Sequence, residues 1–230
     1  EIARRLLASG WRRHAGCYPN ADAEPTDRLR AIRLDPAATD TFFLELLGVP
    51  SPDQQDAKRW IPIELEDGWY GLPCFRFLGL TTHFVETAEC GIQYAPPSMM
   101  ALANLLSHPE IGTDQMSEPI GGRTLLRSAK DLGRVLALVR LSNLDEIETW
   151  PERWAVALGE CFPGEQFGLA QRTGKGLALL LEDPDALDQS SHAVNFGLLN
   201  QLDVTPAQLK AMARQLTIMA IEPLRRRINP

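Results

Sequence analysis

Two hydrophobic periods follow one another along the chain, and the change between them falls at Pro96-Pro97. Residues 1–13 place Ile2, Leu6, Leu7 and Trp11 near helical spacing with arginines between them, which predicts a first helix with Gly10 near its C-cap. The stretch GCYPNADAEPTD, residues 16–27, reads as loop. Short apolar runs come next. RLRAIRL (28–34) alternates imperfectly, and TFFLELL (41–47) has the Phe, Leu and Thr content of a mostly buried strand. The DPAATD between them is short enough for a hairpin. After a polar loop over 48–59, IPIEL (61–65) predicts a third strand, with Pro62 at an edge position or strand start. Glu66-Asp67-Gly68 is a turn signal, residues 69–72 return as a fourth strand, and GIQYA (91–95) is the last.

Beyond Pro96-Pro97 the spacing is helical. Pro96-Pro97-Ser98 starts a helix carrying Met99, Leu102, Leu105 and Leu106 on one face, and Pro109 stops it. Ser128 reads as the N-cap of a helix over 129–141 with the stripe Leu132, Val135, Leu136, Leu138 and Val139. Further helices are predicted over 152–161, with Pro151 in the first turn, over 166–181, over 184–199, and from Thr205-Pro206 to near Arg227. The expected fold is α+β: a small mixed sheet with flanking helices, followed by an all-helical C-terminal region. The expected organisation is an α/β part over 1–108 and a helical part over 124–230, either separate or sharing one core.

Composition narrows the classes. The 230 residues are 44% apolar and 23% charged, which excludes a disordered chain. No apolar run approaches the roughly 18 residues of a membrane span, so no membrane partner is expected. The net charge of -7 argues against general attraction to nucleic acid or anionic lipid. The charge is uneven, however: residues 1–34 carry seven arginines and four acids, whereas 141–190 carry ten acids and three bases. Cys17, Cys74, Cys90 and Cys161 are scattered without metal-finger spacing, as buried thiols of a reducing, cytoplasmic compartment would be.

Few motifs carry chemistry. Arg172-Thr173-Gly174-Lys175-Gly176 lacks the glycine spacing, the hydroxyl and the preceding strand of a phosphate loop. Asp22-Ala23-Glu24 has the spacing of a metal-binding carboxylate pair but lies among turn residues. Glu45 interrupts the apolar run 42–47, so it needs solvent, a cation or donors. It either sits on a wet strand face or faces a cleft. Lys130-Asp131 opens an otherwise apolar helix. The acid suits the helix dipole, whereas the lysine either meets water or reaches towards a phosphate.

Taken together, LLASGWRR, the pair RLRAIRL and TFFLELL, PPSMMALANLLSHP and RSAKDLGRVLALVRL resemble, in order and in short motifs over residues 1–141, the AbiEii-type nucleotidyltransferase-like family of the polymerase-beta-like superfamily. Toxin–antitoxin and defence components belong to that type. The resemblance implies nucleotidyl transfer from a nucleoside triphosphate to a protein or RNA acceptor, with Mg²⁺ as cofactor. It implies Glu45, Lys130 and Asp131 as catalytic residues: Glu45 as a metal-binding carboxylate, and Lys130 and Asp131 as a helix start bordering the nucleotide cleft, with Lys130 steadying a phosphate. Arg123 and Arg127 would assist with phosphates. The family's Gly-Ser turn followed by a D-x-D strand does not occur in that context: Ser9-Gly10 is reversed, and by the family's order the signature belongs before residue 1. The chain is therefore read as a truncated or degenerate member. The alternative reading is a non-catalytic interaction protein that binds a partner through its acidic helical surface.

Overall fold

The computed structural model describes residues 1–17, 19, 29–36, 43–50 and 59–229. The Asp22-Ala23-Glu24 pair and Thr41 lie outside them. The fold is α+β, with small sheets first and helices after, and the chain divides into two compact units, Glu1–Leu78 and Gly79–Pro230.

The first unit joins helix α1 (Ile2–Ala8) to two three-stranded sheets. In one, β3 (Arg33–Asp35) pairs antiparallel with both β1 (Arg12–Arg13) and β4 (Leu44–Glu45). In the other, β6 (Gly68–Cys74) pairs parallel with β2 (Arg30–Ala31) and antiparallel with β5 (Arg59–Leu65), a mixed sheet. Pro62 falls on β5, an edge strand, where its missing N–H breaks no ladder bond. The run expected as one strand over 28–34 is split: Ile32, fully buried, lies between a strand of one sheet and a strand of the other. Ile32 and Leu34 pack with Leu65, Tyr70 and Ala3 of α1. Arg13 reinforces the β5–β6 turn. Its guanidinium donates to Asp67 Oδ1 at 2.7 Å and lies 4.7 Å from the Tyr70 ring, whose hydroxyl donates to Asp67 Oδ2 at 2.8 Å.

The second unit begins with a hairpin, β7 (Glu86–Thr87) and β8 (Gln93–Tyr94). Helix α2 (Pro97–Ser107) follows, with Pro97 in its first turn where a missing N–H costs nothing. Helix α3 (Arg127–Leu141) is central: it packs against α2, α7 (Pro184–Asn195) and α8 (Pro206–Leu216). Its start differs from expectation. Leu126 occupies the N-cap, and Ser128 is buried inside the first turn, its Oγ accepting from Gly112 N at 3.2 Å. The crossing with α7 is close because Gly133 has no Cβ; one would meet Ser190 O at 3.1 Å.

Helix α4 (Leu144–Cys161) begins seven residues before Pro151. Asn143 caps it by accepting from Glu146 N at 2.7 Å, and Asp145 and Glu146 complement the dipole. Pro151 is thus interior, held in the helix by the buried Trp150 and Trp154 on either side. Trp154 Nε1 also donates to Ser98 O of α2 at 2.9 Å. The helix expected over 166–181 is two, α5 (Gln166–Arg172) and α6 (Lys175–Glu182), broken where Gly174 takes φ 84°. Thr205 forms a full capping box with Gln208, and Pro206 opens α8 as read from sequence. A π-helical turn (Thr217–Ile221) continues into α9 (Glu222–Arg227). Among the described residues, no helix is long and apolar enough to cross a membrane.

Candidate functional site

The chemistry of the second unit gathers on the first two turns of α3. Lys130, Asp131 and Arg134 lie three or four positions apart or adjacent, so one carboxylate can meet both cations. Asp131 is 8% exposed. An isolated carboxylate so placed would be costly, and its partners explain why it is tolerated. Lys130 Nζ lies 2.8 Å from Oδ1, and Arg134 Nη1 3.7 Å from the same oxygen. His108 Nε2 lies 2.9 Å from Oδ2. Because a carboxylate only accepts, Nε2 is the protonated nitrogen in that bond. Burial would push the Asp131 carboxyl up. The His108 hydrogen bond, then the Lys130 and Arg134 charges, outweigh it and hold the group at about 2.

His108 is placed by a close approach of backbones. It caps the C-terminus of α2, and its carbonyl lies where a Cβ on Gly176 of α6 would clash with it. Only glycine fits there. The segment Arg172-Thr173-Gly174-Lys175-Gly176 is therefore a corner between two helices. Thr173 is buried with its Oγ1 bonded to Leu169 O, and Arg225 donates to Thr173 O at 2.7 Å.

Beside this cluster runs a groove of about 420 Å³, lined by Lys130, Arg134 and Ala137 of α3 and by Val194, Phe196 and Leu198 at the end of α7. Its lining is mostly apolar, with the two cations Lys130 and Arg134, both paired to Asp131, which itself does not line the groove. Phe196 is 59% exposed. Its ring lies against that of His192, tilted by 33° with centroids 4.5 Å apart, and Gly121, at φ 53°, leaves the room that the ring fills.

The other residues singled out from sequence are placed differently. Arg123 pairs with Asp188 at 2.8 Å, both half exposed. Arg127 is half-buried at the start of α3, its N–H donating to Asp114 O at 2.8 Å. Glu45 belongs to the first unit. It is the cross-strand partner of Arg33, with Oε1 3.5 Å from Arg33 Nε. The same arginine lies 4.9 Å from the Phe43 ring. Of the residues singled out, the structure brings Lys130 and Asp131 together on one helix turn. Among the described residues, no three His, Cys, Asp or Glu side chains gather to hold a metal ion.

Sequence reading missed His108 and Arg134 as members of the cluster, and missed the His14–Asp35 pair of the first unit. In that pair Nδ1 and Oδ1 lie 2.7 Å apart, beside the Phe43 ring at 4.8 Å. The signal for Arg134 was present, since it stands four positions after Lys130. The two histidine contacts join residues 23 and 21 positions apart, which no local spacing reveals.

Comparison with family models, with curated proteins and with solved structures returned no match.

Proposed function

We propose that the chain is a nucleotidyltransferase-fold protein whose helical unit binds a nucleoside triphosphate in the groove between α3 and α7. The observation that carries this reading is a groove of about 420 Å³ bordered by Lys130 and Arg134 and flanked by the exposed ring of Phe196. Two cations facing one carboxylate leave one positive charge in excess, which an anion entering the groove would neutralise. Arg134 offers a planar fork for phosphate oxygens, and Lys130 a compact charge. An apolar, aromatic-edged wall suits a nucleobase. The resemblance in element order, with a Lys-Asp helix start beside a cleft, supports the same reading.

Asp131 does not touch substrate in this account. It positions Lys130 and Arg134 and is itself held by His108. Transfer to an acceptor hydroxyl is the further step that the resemblance implies, with attack on the α-phosphorus and loss of pyrophosphate. The described residues offer no metal-binding cluster for it: Glu45 is engaged by Arg33.

Calorimetric titration of the full chain with ATP, with and without Mg²⁺, tests it. Arg134→Met and Lys130→Met are each expected to weaken binding about tenfold, the worth of one charge-assisted phosphate contact at about 1.4 kcal/mol. Arg134 is 42% exposed in its side chain, so its variant isolates binding from folding. Absence of any ATP heat, or equal affinity in Arg134→Met, overturns the proposal and favours the acidic interaction surface.

A further inference from the structure

A second reactive arrangement lies in the helical unit, outside the groove. His83 follows the 3-10 helix Arg76–Thr82, and its N–H donates to Leu80 O at 3.1 Å. The next residue, Phe84, takes φ 54°, a left-handed conformation that bulky side chains rarely adopt. The Phe84 ring lies 5.8 Å from the Arg153 guanidinium of α4. The His83 imidazole meets the last turn of α4 with both nitrogens engaged: Nε2 is 3.0 Å from Cys161 Sγ, and Nδ1 is 3.2 Å from Glu160 Oε2.

Proton bookkeeping follows from the partners. The Glu160 carboxylate accepts, so Nδ1 of the neutral ring carries the hydrogen. Nε2 then presents its lone pair to the thiol. A sulfur, a base and a carboxylate that orients the base stand in sequence, the arrangement that activates thiol nucleophiles. The two nitrogens point to different partners, so the trio forms a relay and not a chelate. The surroundings of Cys161 alone disfavour its thiolate. Burial and the adjacent Glu160 raise its pKa, and it ends α4, where the helix dipole is negative. Reactivity at this sulfur therefore depends on a proton acceptor in contact with it.

We propose that Cys161 is a thiol modification site at which His83 is the base and a low-molecular-weight disulfide is the co-reactant. The S–H bond of Cys161 breaks and its proton passes to His83 Nε2. The sulfur forms a bond to one sulfur of the disulfide, whose own S–S bond breaks. The departing sulfur leaves as a thiolate and takes the proton from the imidazolium. Cys161 is oxidised to a mixed disulfide, and the departing sulfur is reduced. Glu160 acts through His83 as a positioning residue.

The full chain is treated with dithiodipyridine, a neutral disulfide that Glu160 does not repel, and labelled cysteines are mapped by peptide mass spectrometry over time. Exposed Cys90 is the internal reference. At neutral pH Cys161 is expected to react at least as fast as Cys90 despite its partial burial. His83→Gln, which fills the same space without a basic nitrogen, is expected to slow Cys161 about tenfold or more, with Cys90 unchanged. His83→Ala is expected to lose the same rate and to regain part of it when free imidazole is added, which a purely structural role does not explain. Cys161 left unlabelled while Cys90 reacts, or an unchanged Cys161 rate in His83→Gln, overturns the proposal.

Discussion

Replacing Asp131 with asparagine removes one charge from the centre of the α3 cluster while keeping the shape of the side chain. The carboxyl is held at about 2 against an ordinary 3.8. That difference corresponds to about 2 kcal/mol of folding stability at neutral pH. The sign follows from the direction: a carboxyl lowered by folding stabilises above its unfolded value, and the contribution is lost as the pH falls from about 4 to about 2. The Asp131 side chain is only 12% exposed and that of Lys130 only 15%, so solvent screening discounts little, and Lys130 is left without its counter-charge. Asp131→Asn is expected to lose about 2 kcal/mol at pH 7, measured by urea unfolding followed through the helical circular dichroism. Repeated at stepwise lower pH, the gap between the two proteins is expected to close near pH 2. A variant within about 0.5 kcal/mol of the parent at pH 7, or a gap that does not change with pH, would refute the electrostatic account of the cluster.

Three further outcomes follow from the packing and the caps. Gly176→Ala places a methyl against the His108 carbonyl, which is backbone and cannot rotate aside, so a loss of about 3 kcal/mol is expected by thermal or urea unfolding. Thr205→Ala breaks the capping box of α8 and is expected to lose about 1 kcal/mol by the same measurement; no loss would show that the cap is redundant. Glu45→Gln removes a partly exposed cross-strand pair at 3.5 Å and is expected to change stability by less than about 1 kcal/mol, and a larger loss in urea would mean that Glu45 is structural.

The legible parts of the sequence were those written locally. Thr205-Pro206-Ala207-Gln208 carries a cap hydroxyl, a first-turn proline and the reciprocal glutamine within four positions, and the helix begins there. Pro96-Pro97 marks the start of α2 for the same reason. Glu66-Asp67 turns β5 into β6 as read. Pro151 does not mark the start of α4, because a first-turn proline and an interior proline look alike in sequence; Asn143, the cap, lies eight positions earlier. Alternation over 28–34 predicts one strand, because it does not reveal that Arg30–Ala31 and Arg33–Asp35 join different sheets. At the candidate site, Lys130 and Asp131 were visible as charges at the start of an apolar helix. Their partner His108 was not, because the contact depends on α6 approaching α2 closely enough to require Gly176. Glu45 stands out for interrupting an apolar run, and its cross-strand partner Arg33 lies outside that run, where local spacing does not reveal it.

The most direct test of the nucleotide-binding account is photo-crosslinking with an azido analogue of ATP, followed by peptide mapping of the labelled chain. The account predicts label on peptides from α3 or from the Phe196–Leu198 end of the groove, reduced by excess ATP and lost in Arg134→Met. Label found only in other segments, or label that ATP does not displace, would contradict it.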